Sequence, residues 1–544
     1  MIKTRSFTIR RNEDGMILIA VVLLMSILAL LGTISILTTR TGLQLSSNYR
    51  LSQDVLYKAQ GGAEYGLNRL RAALNVLGGN TSSVVPPTIP GYTFENTGSF
   101  LALSGGSVQR SITGQFAGLT ALCQRYIITS SVLKNNTNAR ATVIYEVEDQ
   151  LIPLFQFGVF YNLDMEILPV SSMTFAGGRI HGNKDIYLFP TGVSTLSVDS
   201  IITSAGNIIH NRKDSSPGTT GNVLIQDADS TYRSLTIDST TSNWRADALS
   251  TWNGRVRSAS HDIQSLNLPL PSGSNPIDIL GTGAASLYAK SGLRITTNNG
   301  VTFLARDKDG DPVTLPGGLV QTRTFYDMRE REDMTAVEVD ITKLTGTALA
   351  ALHNPPDGGA SGILYVSSSA SHAAVRLING STLPGGGLSV VTNNPLYIKG
   401  NFNNVSNLPA GIFADAVTVL SNGWDDNRGG WPFMFGWRSA TANTTVNAAI
   451  MAGNKDTVGG QYSGGVENFI RLLENWSGRT LTYSGSLACL WQSQQATGDW
   501  QPGNGNVYRE PTRNWSYSIN FANLPPGSPQ VRGVQRVGWR QVLN

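Results

Sequence analysis

From Met16 to Leu37 the chain reads MILIAVVLLMSILALLGTISIL, without one charged side chain. An α-helix rises about 1.5 Å per residue, so a run of this length spans the roughly 30 Å hydrocarbon core of a bilayer. Lys3, Arg5, Arg10 and Arg11 precede it, set against Glu13 and Asp14, and a far longer polar segment follows. By the positive-inside tendency the N-terminus is expected in the cytoplasm, with a single pass through the inner membrane and a periplasmic or extracellular ectodomain. The run ends in Thr38, Thr39 and Arg40 rather than an Ala-x-Ala-like exit, which favours a retained span over a removed secretory signal.

Helical periodicity continues past the span. Leu45, Tyr49, Ser52, Leu56, Ala59, Ala63, Leu67, Leu70 and Leu74 recur at three- or four-residue steps, while Arg50, Asp54, Lys58 and Arg71 lie off that face. A transmembrane and stalk helix is therefore expected over 16–77, bent at Gly61-Gly62. After Gly78-Gly79 the composition turns to Ser, Thr, Pro and Gly, and the segments YIITSSVL and ATVIYEVEDQLIPLF alternate as antiparallel strands do. Residues 78–164 read as a small β-rich domain.

From about residue 165, short strand-like pieces are punctuated by Gly182-Asn183, Gly206-Asn207, Gly221-Asn222 and, much later, Gly400-Asn401. The first two pairs align GRIHGNKDIYL with IITSAGNIIH, a repeat of roughly two dozen residues, about one coil of a β-solenoid. The favoured reading of 165–465 is a right-handed parallel β-helix; the alternative is a β-sandwich whose hairpins use ordinary Gly-Asn turns. Residues 466–544 read as a capping region, with Phe469, Leu472, Leu473 and Trp476 on a short helix over an open solenoid end. The fold class expected is thus a long N-terminal helix followed by a mainly β ectodomain.

The short basic leader, Gly15 and an apolar helix starting directly after it resemble the class III signal of type IV prepilins. The stretch RTGLQLSSNYRLSQDVLYKAQGGAEYGLNRLRAAL, Arg40 to Leu74, is similar to the second half of a PilX-type N-terminal domain, and the Val466 to Trp500 segment is similar to the tail of large PilX-type proteins. This resemblance implies a leader over 1–15, cut between Gly15 and Met16 by a prepilin peptidase, and a pilin-like membrane helix carrying Met16, Leu24 and Leu37. Its implied partners are other pilins and the pilus assembly platform. The fifth residue after the cut is Ala20, where most pilins carry a Glu that neutralises a neighbour's N-terminal amine. That departure points to a minor pilin or pseudopilin near a filament tip, serving pilus assembly or adhesion, rather than to a major subunit.

Other chemistry is sparse. Lys and Arg total 41 against 37 Asp and Glu, and +4 over 544 residues is too weak a field to imply nucleic acid as a partner. Cys123 and Cys489 stand outside any metal-binding spacing; they could pair in an oxidising compartment or remain two buried thiols. His181, His210, His261, His353 and His372 form no HExxH, no GxSxG elbow is present, and His181 and His210 read as ladder or turn residues. No catalytic residue is assigned. Asp425-Asp426 reads as a solvated loop between Gly423 and Gly430. Asp307, Asp309 and Asp311 place carboxylates on alternate residues around Gly310, a spacing that can wrap Ca²⁺, the one cofactor considered; the alternative is a polar hairpin turn. The competing function class is a membrane-tethered β-helical protein that binds or cleaves polysaccharide, its surface glycan stacked on Trp424, Trp431, Trp437, Trp491, Trp500 and Trp515.

Overall fold

A computed structural model describes residues 13–216, 218–430, 438–458, 462, 465–501, 506–519 and 523–542. The leader cations Lys3, Arg5, Arg10 and Arg11, and Trp431 and Trp437, lie outside the described residues.

The first element, α1, is a helix over Glu13–Leu74. Its last six turns bury Val55, Ala59, Ala63, Leu67, Leu70 and Leu74 against an antiparallel sheet. The buried stripe starts later than the sequence periodicity implied: Leu45 and Tyr49 are 66% and 68% exposed, because the helix there has already run past the edge of the domain. α1 runs unbroken through Gly61-Gly62. Gly62 serves a close approach. A Cβ there would lie 2.5 Å from Phe94 Cε1 and from Ser130 Oγ, so only a glycine lets the helix lie flat on the sheet. Gly61 faces outward, with nothing within 4 Å of where its Cβ would be. Gly62→Val is therefore expected to cost at least about 1–3 kcal/mol through overpacking, whereas Gly61→Ala should gain roughly 0.5–1 kcal/mol of helix propensity. Thermal unfolding of the detergent-extracted variants reads the difference; equal effects would show that the helix does not rest on Phe94.

The sheet under α1 is built from β1 (Tyr92–Phe94), β2 (Leu101–Ser111), β3 (Thr120–Lys134) and β4 (Arg140–Pro153), joined by a C-terminal strand, Gln530–Val542. All its pairings are antiparallel. Ile128, Val132, Ala141, Val143, Tyr145 and Val147 alternate along β3 and β4 and meet the helix, as a half-buried sheet requires.

Beyond Pro153 the chain enters a large β-rich domain of mixed sheets, none of them closed, with eleven, seven, six and three strands. Parallel ladders dominate. The opening strand β5 (Phe157–Tyr161) pairs in parallel with Arg179–Gly182, which pairs with Ile202–Ser204, which pairs with Val256–Arg257. The pieces in between, Met165–Ile167 and Met173–Ala176, repeat likewise against Ile186–Leu188 and Thr195–Val198. His181, buried in this stack, bonds Thr203 in the neighbouring strand, 22 residues on. Gly182 sits opposite Ser204, so the two Gly-Asn pairs aligned by eye are not in register with each other.

The strand order departs from the chain order. After Val256–Arg257 the chain crosses to the far end of the eleven-stranded sheet, re-enters at Leu293–Thr297, and returns strand by strand until Leu487–Gln492 slots between Ala449–Asn454 and β5. The strands Thr480–Ser484, Leu487–Gln492 and Thr512–Ser516 of the C-terminal region are therefore inner strands of their sheets, not a lid over an end. Ile470–Leu472, expected as part of a short helix, is a strand in parallel register with Val417–Leu420, because its backbone groups find ladder partners there that a helix would forgo. Phe469, Leu472, Leu473 and Trp476 are all buried. The covering helix at the first end is instead Trp244–Trp252, whose Trp244, Ala248 and Trp252 are buried beside Val256–Arg257. At the sheet margins, antiparallel pairings such as Asn222–Gln226 with Tyr232–Ser234 and Leu293–Thr297 with Leu304–Arg306 end the parallel run.

Candidate membrane and assembly helix

The N-terminal half of α1 touches nothing else in the structure. Met16, Leu24 and Leu37 are 72%, 59% and 57% exposed, and the large apolar side chains between them are exposed as well. The helix is long and apolar enough here to cross a membrane. Five of its hydroxyls suit such a setting: Ser26, Thr33, Thr38, Thr39 and Thr41 each donate to the carbonyl four residues back, at 2.7–2.9 Å. Gly15 and Met16 lie inside α1, and no side chain crowds Gly15. Ala20 sits on the exposed helix surface, so no carboxylate projects from that turn.

Polar contacts on both flanks fix the other half of α1 to the small domain. On one side Asp54 accepts from Lys134 Nζ at 2.8 Å and from the Tyr92 hydroxyl, and these donors, Lys134 first, hold its carboxyl below the usual range. On the other, Glu64 accepts from the Tyr145 hydroxyl at 2.9 Å and pairs with Arg536 at 2.8 Å. Arg71 Nε donates to the Val534 carbonyl, and Arg532 donates to the Leu74 carbonyl at the helix end. Three of these groups come from the C-terminal strand. Sequence reading missed them, since Arg71 and Val534 are 463 residues apart and no local pattern links them. Just beyond α1, Leu77 N–H bonds the Leu270 carbonyl of the large domain at 2.8 Å. The result is a rod, free over its apolar half and braced over the rest.

No family model matches the chain, and no curated protein matches it. Among solved structures it is similar to the competence-associated pilin ComZ from Thermus thermophilus, at 12% identity and a TM-score of 0.29, over 90% of this chain and 98% of that one. Similarity that loose carries no argument about role.

The other residues singled out in the sequence lie in turns, in the core and in a strand ladder. Asp307 Oδ1 accepts the backbone N–H groups of Asp309 and Asp311, each at 2.9 Å, and Asp309 pairs with Lys308 at 2.7 Å. The Asp307 carboxylate thus closes a turn, the polar hairpin reading of this spacing. Among the described residues no group of three or more His, Cys, Asp or Glu could hold a metal. Asp426 is not a free solvated acid, for it is bound by Arg376. Trp424, Trp491 and Trp515 are buried in the core, while Trp500 is partly exposed and packs against Tyr462 and Tyr508 with ring centroids 6.2 Å from each. Cys123 and Cys489 are free buried thiols in two different apolar clusters. Burial lowers the His181 pKa to about 3, and the neutral ring serves as a ladder residue.

Proposed function

We propose that this protein is a pilin-like filament subunit, a minor pilin or pseudopilin, whose α1 is held first in the inner membrane and then in the apolar core of a type IV pilus or related secretion filament. One observation carries the reading: a single helix is bare and apolar along one half and built into a small antiparallel domain along the other. A plain membrane anchor has no need to be continuous with the domain's own core. On this reading residues 1–15 are a prepilin leader, the N-terminus is cytoplasmic, and the large domain, proposed as a right-handed parallel β-helix on the strength of its long parallel ladders, is carried outward without catalytic duty. Other pilins, the assembly platform and a prepilin peptidase are the partners it implies.

Ala20 and the bulk of the ectodomain favour the tip. A subunit with a methylated N-terminal amine and no carboxylate for the next subunit's amine would leave one more uncompensated charge in the apolar core with each added copy. In cells with an active prepilin peptidase, the expected mature start is Met16, and immunogold labelling of sheared filaments should mark ends and not shafts. An intact Met1 start, or dense labelling along the shaft, would overturn the corresponding part of the proposal.

A further inference from the structure

The large domain contains a junction where the last coil of the chain meets the first. On two faces, backbone ladders run straight through it: Leu487 and Ala488 pair with Val159 and Phe160, and Trp515 pairs with Phe175. On the third face the three-stranded sheet ends at Met165–Ile167 and the six-stranded sheet at Ile470–Leu472, and among the described residues no ladder joins them. Side chains make that join. Glu166 accepts from the Thr457 hydroxyl, and Glu467 accepts from the Leu168 N–H at 2.9 Å and the Tyr462 hydroxyl at 2.5 Å.

Both carboxyls are buried, and each keeps one oxygen, Oε1 of Glu166 and Oε2 of Glu467, without a hydrogen-bond partner. Neither is in an ion pair among the described residues. The cations nearby are engaged elsewhere. Lys213 lies between Asp164, at 2.9 Å, and Asp456. Arg513 donates to the Glu467 carbonyl at 3.1 Å and pairs with Glu510 at 3.3 Å. Asp214, paired with Arg212, faces Glu166, while Tyr161, Tyr462 and Tyr508 line the Glu467 side. Lys213 and Arg513 attract the two carboxylates, but both are shared with other acceptors, and burial outweighs that attraction, so the ionised form bears a desolvation cost the protonated form does not.

We propose that this third face is a protonation-controlled latch: protonated Glu166 and Glu467 hold the first coil to Thr457, to Tyr462 and to the strand that begins at Ile470, and their ionisation loosens that face while the two ladders stay paired. Burial raises both groups from an ordinary 4.5 to about 7, which sets the range. With the folded pKa raised, the latch's contribution is complete below the ordinary carboxyl value and is lost as pH climbs to about 7.

Hydrogen–deuterium exchange on the full chain in detergent, corrected for intrinsic rates, tests this. Amides of Leu168 and of 454–458 and 465–469 should exchange at least about tenfold faster at about pH 8.5 than at about pH 5.5, with ladder amides such as Ile412 as unchanged references. The Glu166→Gln, Glu467→Gln double variant should remain protected at both. Should that variant fail to fold, the wild-type profile still decides, because its midpoint must fall near neutrality. Equal protection at both pH values, a midpoint below about 5, or a pH response that survives in a folded double variant would each overturn the latch.

Discussion

Replacing Arg376 by alanine is expected to destabilise the large domain by about 3–5 kcal/mol, the cost of stranding buried carboxylates after one partner is removed. Arg376 is 1% exposed, on the strand Ala373–Ile378. Its guanidinium donates to Glu338 Oε2 at 2.6 Å and to both oxygens of Asp426, at 2.5 and 3.0 Å, and it lies 5.0 Å from the Phe325 ring centroid. Asp426 is held in turn by Trp424 Nε1 at 2.9 Å. One side chain thus ties two neighbouring strands of the six-stranded sheet to the loop after residue 420. Denaturant unfolding in detergent, followed by far-UV circular dichroism, measures the loss; a change below about 1 kcal/mol would show that the cluster is solvent-screened like a surface pair. Arg376→Lys should recover only part, since an ammonium cannot bridge Glu338 while gripping Asp426 through two parallel bonds.

Leu24→Arg is expected to detach the protein from membranes. A charge near the middle of a span costs about 2.5–3.5 kcal/mol on insertion scales, enough to lower membrane retention. Fractionation of cells into soluble and membrane pools reads the outcome. The domain itself should be unharmed, because Leu24 makes no contact with it and the buried stripe begins at Val55. Unchanged membrane retention would mean that some other part of the chain holds it there.

How much of this was legible beforehand depends on the distance over which each contact acts. The bare helix was readable because the uncharged run from Met16 to Leu37 is long and apolar enough to cross a membrane. The stalk face was readable from Ala59 onward, yet Leu45 and Tyr49 misled, since periodicity does not tell where a supporting sheet begins. The contact at Gly62 was hidden for a related reason: a glycine that permits a close approach shows it only once Phe94 is placed beside it. The Asp307 cluster showed its spacing but not its use, which depends on backbone N–H groups that no motif displays. Least readable was everything joining the ends of the chain, from Arg536 with Glu64 to Leu487 beside Val159, because no local pattern encodes a partner hundreds of residues away.

That last feature sets an order of events. The strand Gln530–Val542 completes the sheet on which α1 rests, pairing with β4 along nearly its whole length. During synthesis the helix and β1 to β4 emerge first, yet the open side of β4 must wait until the entire large domain has been made. A polypeptide stalled or cut anywhere in between would carry a membrane segment and an exposed sheet margin together. The sheet that braces α1 is thus completed only after the large domain between its strands has been made.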